Sequence, residues 1–454
     1  MNQLPIIGLD LGIRTPHQAV LLRDEVVAGC LRVTTEASSL DKLVEWAGVG
    51  ARVVMEPVGP WLIVASYLNA CGMKVLLVNP VDCHALRKAN SRRVKSDRAD
   101  AETLARAVKA TPKRVREFVP TSAELIALQH LVKARARLVQ DRTREFFRLV
   151  ALMGTFVPDQ ARLLSRKLTP AQVELLRHYA DPMAALDAGA GQLVSELAIE
   201  EKVATAWLAA AKTAVDLWRK ARAGARKAVD FDTVGTLVDL QLQRIAELDR
   251  HIDRLQQDIE AAYLEADPHE VLRSVPGVGA VIAPVLLAVI GNVTRFSSGA
   301  KLVAYFGLDP TKSQSGGNDK KGLRISKAGS RIGRHAIYLA ADTARQVDPE
   351  LARAYARFIQ AGKHHTEAVI AVANRLLRRI HSVLMRLSRG DTSGYQFRNL
   401  DGEPISKAAA TKLTRTEFPS TRTRLERQKK SQGSKREGRG SKAPHRTSRA
   451  TGSG

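Results

Sequence analysis

The spacing of hydrophobic and polar positions changes twice along the chain, and these changes divide it. Over the first 110 residues, short apolar runs alternate with stretches of helical spacing. Residues 6–11 form an apolar run, 18–22 and 26–33 are rich in strand formers, and Arg14-Thr15-Pro16 interrupts them as a loop. Residues 40–49 read as a helix, 52–55 as a short buried strand, 61–70 as a helix, 74–78 as a strand, and 97–108 as a helix before the break at Thr111-Pro112. Hairpin strands followed by βα units predict a mixed sheet with helices on its faces.

From about 122 to 263 the pattern is almost wholly helical. Leu237, Leu240, Ile245, Leu248, Ile252, Leu255 and Ile259 fall close to a heptad period, with charged residues such as Arg244, Glu247 and Arg254 between them. A coiled-coil hairpin, an oligomer interface and a single long intramolecular helix all fit this spacing. Residues 268–388 read as compact and helix-rich around a central Gly/Ser/Lys-rich loop. Beyond Arg389 the composition, rich in Ser, Thr, Lys, Arg and Gly, predicts a disordered basic tail. The fold class is therefore α/β plus all-α, in four parts: 1–115, 116–267, 268–389 and 390–454.

Charge adds a partner to this picture. Lys and Arg total 71 against 46 Asp and Glu, a formal net charge of +25. Residues 401–454 carry 14 of these cations and 5 of the acids, so +16 remains on the first 400 residues. A basic body as well as a basic tail points to a polyanion, which neutralises such charge with release of counterions. The chain begins without a basic region and apolar run of the secretory kind, and its longest nearly apolar stretch, 280–290, is too short to span a bilayer. Cys30, Cys71 and Cys83 are too few for a disulfide framework and read as small buried residues in a reducing cytoplasm. His364-His365 and Cys71…Cys83-His84 lack zinc-ligand spacing, and the absence of a Walker motif argues against ATP use.

Four acids stand out chemically. Asp10 ends the apolar run in Gly8-Leu9-Asp10-Leu11-Gly12, and Glu56 directly follows Arg52-Val53-Val54-Met55. Asp97 and Asp100 share one helix face through their i,i+3 spacing. If the two strands are neighbours and the helix crosses their ends, the four carboxylates converge. Like charges so close raise one another's pKa unless a cation holds them ionised. Oxygen donors without Cys or His favour Mg²⁺ or Mn²⁺, and a pair of such ions activates a nucleophile at phosphorus.

The ordered motifs Gly-Leu-Asp-Leu-Gly, Met-Glu-Pro-Val-Gly and Lys-Ser-Asp-Arg-Ala-Asp-Ala resemble those of the DEDD transposases. This is the insertion-sequence one-ten family, which includes the pilin-gene invertases. The resemblance implies a ribonuclease-H-like N-terminal domain of the Holliday-junction resolvase type, with Asp10, Glu56, Asp97 and Asp100 as metal ligands. Lys95 fits the pattern as a group that would meet the scissile phosphate; a solvated lysine fits it too.

Further along, Val275-Pro276-Gly277-Val278-Gly279 before residues 280–290 looks like a helix-hairpin-helix element. Gly277 and Gly279 would let backbone N–H groups approach a phosphate at a helix N-terminus; a tight turn between packed helices fits equally. Lys312, Lys320, Lys321, Arg324, Lys327, Arg331 and Arg334 in and after the Ser/Gly loop make a candidate grip on a DNA backbone.

Residues 276–387 are similar to the C-terminal transposase domain of the same family. In that family the loop carries a serine that forms a covalent phosphoserine intermediate with DNA. The matching position is Ser315, with Ser313 as second choice. The resemblance also implies a noncoding bridge RNA that pairs with target and donor DNA, and dimers that join into a tetramer. A cytoplasmic transposase is the leading reading. A metal-dependent nuclease of branched DNA, and an architectural DNA-binding protein with a decayed acidic cluster, are the alternatives.

Overall fold

The computed structural model describes residues 4–90, 96–112, 115–221, 229–310, 314–315, 318–319 and 324–419. It divides into two compact units, 1–121 and 122–454.

The first unit is a six-stranded sheet with helices on both faces. Its strands are β1 (Ile6–Asp10), β2 (His17–Arg23), β3 (Val26–Val33), β4 (Arg52–Met55), β5 (Lys74–Val78) and β6 (Val115–Glu117), in the spatial order β3-β2-β1-β4-β5-β6. β1, β4 and β5 are parallel, whereas the hairpin β1-β2-β3 and the edge strand β6 run antiparallel to their neighbours. α1 (Ala37–Ala47) and α2 (Trp61–Ala70) cover one face, burying Leu40, Leu43, Val64 and Leu68 against Ile7, Leu9, Val53 and Met55. α3 (Pro80–Asn90) and α4 (Asp97–Ala110) cover the other, where Cys83, Leu104 and Ala107 meet Val54, Leu76 and Val78. β4 is buried on both faces, as its unbroken apolar run requires. Neither α3 nor β6 follows from the sequence pattern: α3 is polar and opens with proline, and β6 has three residues.

The second unit is mostly helical. α5 (Ala123–Phe156) and α10 (Phe231–Ala266) are long and antiparallel, with Arg142 paired to Asp249 at 3.0 Å and Glu145 near Arg244. Between them in sequence come α6 (Pro158–Arg162), α7 (Pro170–His178), α8 (Pro182–Leu197) and α9 (Glu201–Ala221). These form a separate core around Trp207, whose indole N–H donates to Tyr179 O at 3.1 Å. The heptad reading of α10 needs correction in its first turns. Leu237 and Leu240 are 42% and 50% exposed, while Val234, Val238, Leu242 and Ile245 point inward. α10 is an intramolecular partner of α5 over this stretch, so its buried face is set by α5.

The far end holds the second core, built by α11 (Ile282–Ile290), α12 (Gly299–Tyr305), α13 (Arg331–Ala344), α14 (Pro349–Gln360) and α15 (His365–Leu387). Between α12 and α13 in sequence, the two-residue strands β7 (Gln314–Ser315) and β8 (Asn318–Asp319) pair antiparallel. The expected disordered tail is corrected in its first part. β9 (Phe397–Arg398) and β10 (Pro404–Ile405) pair antiparallel and lead into α16 (Lys407–Glu417), which packs beside α14. Tyr395 anchors this segment by donating to Asp348, a buried carboxylate that also accepts from Arg379 and from Leu351 N. A composition-based reading misses these contacts because they involve single residues distant in sequence. Residues 420–454 lie outside the described residues.

The cysteines also depart from expectation: Cys83 is buried, but Cys71 is partly exposed and Cys30 exposed. Among the described residues no helix is long and apolar enough to cross a membrane.

Candidate active site

β1 and β4 lie side by side with Leu9 opposite Met55. The next residue on each, Asp10 and Glu56, therefore emerges at the same edge of the sheet. Side chains alternate across a strand. Leu9 and Met55 go to the α1–α2 face, whereas Gly8, Asp10, Val54 and Glu56 take the face covered by α3 and α4.

Gly8 makes that covering possible. A Cβ at this position would lie 1.8 Å from Ala101 O and 2.6 Å from Ala105 N, so only glycine lets the backbone of α4 rest on β1. The contact brings the first turn of α4, with Asp97 and Asp100, to the strand ends. Ser96 caps the helix, accepting from Ala99 N at 3.2 Å, and the helix dipole favours acids in this turn.

The other three predicted acids act on Asp10 through their charges. The Asp10 carboxyl is pushed up to about 6, first by loss of water and then by the negative charges of Asp100, Asp97 and Glu56, against which Arg87 acts. Arg87, on α3, escaped the sequence reading. Its Nη2 donates to Glu56 Oε1, and its Nε lies 3.2 Å from Asp100 Oδ1. Burial opposes its charge, but Cys83, Glu56 and Asp100 hold its pKa above the ordinary arginine value. The Cys83 thiol, 3.6 Å from Arg87, is pushed up to about 12 by burial and by Glu56, and stays protonated. Arg87 gives no sequence signal, because it sits in a polar segment without apolar periodicity.

Among the described residues, no three His, Cys, Asp or Glu side chains are arranged around one metal position. Arg87 stands between Glu56 and Asp100. The donor set nevertheless suits a hard divalent ion, since it offers oxygen ligands only. The Asp10 carboxyl is raised first by burial and then by the neighbouring acids, so a bound cation would help to keep it ionised.

In the second unit the serine loop has a tied neck. Pro310 bridges Ile325, Ser326 N donates to Asp309 O at 2.8 Å, and Lys327 N donates to Gly307 O at 3.0 Å. Gly307 has a φ of +66° at this crossing, which favours glycine. Within the loop, Ser315 pairs with Asn318 in the β7-β8 hairpin. Ser313, Lys312, Lys320 and Lys321 lie outside the described residues, as does Lys95.

The remaining predicted contacts divide. Arg324, Lys327 and Arg331 are exposed beside the neck and on the first turn of α13. Arg334 is half-buried, and its Nη1 donates to Gly329 O at 2.6 Å, so it holds the neck. Gly277, at φ +77°, lies against α13, where a Cβ would come within 2.0 Å of Ala340 O. That contact serves a tight turn between packed helices. Gly279 faces open space, and its carbonyl accepts from Ile282 N and Ala283 N where α11 starts.

Comparison with known proteins bears on both regions. Residues 7–158 match a family model for DEDD transposases of the IS110 type, described as "Transposase". Residues 269–356 match the model described as "Transposase IS116/IS110/IS902 family", and the two matches together span just over half of the chain. The 43.6 kDa protein of insertion element IS110 from Streptomyces coelicolor is 29% identical over 362 residues, covering 78% of this chain and 85% of that protein. A probable family 20 transposase of Pseudomonas aeruginosa is 26% identical, over 74% of this chain and 84% of its own length. The pilin gene-inverting protein of Moraxella lacunata is 24% identical, over 73% and 79% respectively.

Proposed function

Starting from a chain that is a transposase of the IS110/IS116/IS902 family, an enzyme that cleaves and rejoins DNA, we propose that it works through the carboxylates of its first unit and Ser315 of its second. The observation that carries this reading is that Asp10 and Glu56 emerge from neighbouring strand ends while Gly8 lets α4, with Asp97 and Asp100 in its first turn, pack on β1. The order β3-β2-β1-β4-β5, with its antiparallel hairpin and parallel continuation, supports a ribonuclease-H-like fold for the first unit.

The four acids would hold Mg²⁺, or Mn²⁺ in its place, which supplies positive charge at the reacting phosphate. Ser315 Oγ attacks phosphorus and forms an Oγ–P bond. The P–O bond to the leaving strand breaks, and the serine proton ends on that strand's freed oxygen, which becomes a hydroxyl. A hydroxyl of the incoming strand then reverses the exchange and releases the serine. Arg324, Lys327 and Arg331, exposed at the neck, bind backbone phosphates. A noncoding bridge RNA selects the sequences by pairing with target and donor DNA, and the protein acts as dimers joined into a tetramer.

The test is to trap a covalent adduct on a nicked donor DNA. Ser315→Ala should abolish the adduct and recombination, and Asp10→Ala should abolish cleavage while sparing nucleic-acid affinity. Recombination by Ser315→Ala would remove the serine from the mechanism. Asp10-dependent nicking without any adduct would point instead to a metal-dependent nuclease, and binding without cleavage to an architectural protein.

A further inference from the structure

Arg87 is placed where the proposed chemistry needs something else. Its guanidinium is flanked by Glu56, which accepts from Nη2, and Asp100, paired with Nε at 3.2 Å. These acids come from different elements, the end of β4 and the first turn of α4. Cys83, one helical turn earlier on α3, is buried against the sheet and fixes the helix from which Arg87 extends. Arg87 is itself only partly exposed, with 30% of its side-chain surface open, so it is no solvated surface cation.

We infer that Arg87 is an internal counter-ion of the carboxylate cluster, one that a divalent ion must displace from Glu56 and Asp100 before both can ligate it. This rests on the metal-site reading proposed above. A magnesium ion takes ligand oxygens at about 2.1 Å. Glu56 Oε1 and Asp100 Oδ1 now face a guanidinium that lies between them. The same fixed positive charge also repels an arriving dication across a few ångströms in a poorly screened place. Arg87 thus joins β4 to α4 and sets a threshold for metal loading. The competing role is that of an outer partner that orients ligands already facing the ion, whose loss weakens metal binding by about 10–100-fold. The two roles predict opposite signs.

The experiment compares the full-length protein with Arg87→Gln and Arg87→Lys. Mn²⁺ is titrated and the free ion followed by its paramagnetic resonance signal, with thermal unfolding in chelator run alongside. Arg87→Gln should bind Mn²⁺ about tenfold more tightly than the unsubstituted protein and unfold at a lower temperature without metal. Arg87→Lys keeps the charge but lacks the planar fork that reaches both acids; it should bind Mn²⁺ a few-fold more tightly, and it decides the matter if Arg87→Gln fails to fold. Equal or weaker Mn²⁺ binding by the variants, with binding retained in the unsubstituted protein, overturns the counter-ion role alone. No Mn²⁺ binding by any of the three overturns the metal-site reading as well, while the unfolding temperatures in chelator still report whether Arg87 ties β4 to α4.

Discussion

A methyl group placed on residue 8 has nowhere to go. In Gly8→Ala the new Cβ would sit 1.8 Å from Ala101 O, 2.6 Å from Ala105 N and 2.9 Å from Ala101 C. An ordinary carbon–oxygen contact is about 3.3 Å or more, so α4 must retreat by roughly 1.5 Å. The obstruction is backbone on both sides, and no side-chain rotation relieves it. Overpacking of this kind costs about 1–3 kcal/mol, and the upper figure applies here because a whole helix has to move. A loss of about 3 kcal/mol corresponds to a fall of ~10 °C in the unfolding temperature of a unit this size. The retreat also carries Asp97 and Asp100 away from Asp10 and Glu56. Metal ligands, the role proposed for these acids, tolerate only about ±0.2 Å, and a misplacement of about 1 Å costs around 100-fold in rate. Differential scanning calorimetry and a strand-cleavage assay at saturating Mg²⁺ read the two effects. A Gly8→Ala protein with unchanged stability and cleavage would refute the packing of α4 on β1 and the positioning derived from it.

Two further expectations concern charge and the C-terminal segment. The Asp10 carboxyl holds its proton up to about pH 6 when folded but ionises near 3.8 ordinarily. The folded chain therefore binds this proton more tightly than the unfolded one, and stability falls as pH rises from about 4 to about 6 and stays lower above. Asp10→Asn should remove that decline, making the variant more stable than the unsubstituted protein at pH 7 in chelator but not at pH 4; urea midpoints that differ equally at both pH values would contradict this. Tyr395 OH donates to the buried Asp348 at 2.6 Å. Tyr395→Phe should cost about 1–2 kcal/mol and speed proteolysis beyond Arg389, and unchanged cleavage kinetics would mean that residues 391–419 are not anchored there.

Most strands and helices of the first unit, β1 to β5 with α1, α2 and α4, were legible because each is a local pattern. β4 announces itself as a short apolar run ending at Glu56, and α4 by its helical spacing over 97–108. The positions of the four acids were legible for a related reason: Asp10 ends an apolar strand, Glu56 follows one, and Asp97 and Asp100 share a helix face. α3 and Arg87 were not, because a polar helix under a sheet edge gives no period to read. Neither was the phase of α10. Spacings through Leu237–Leu240 and through Val234–Val238 both suit a helix, and the choice between them depends on α5, about a hundred residues away.

The sequence by itself determined most of the element types and the basic character of the chain, since these depend on side chains and near neighbours. The tertiary structure alone decided that Gly8 is a bearing surface for α4, that Gly277 rests on α13, and that Glu56 and Asp100 flank Arg87. It also decided that part of the basic tail is folded. These are contacts between residues far apart in the chain, fixed by which backbones can approach and which buried charges find a partner. No pattern along one strand or helix encodes them.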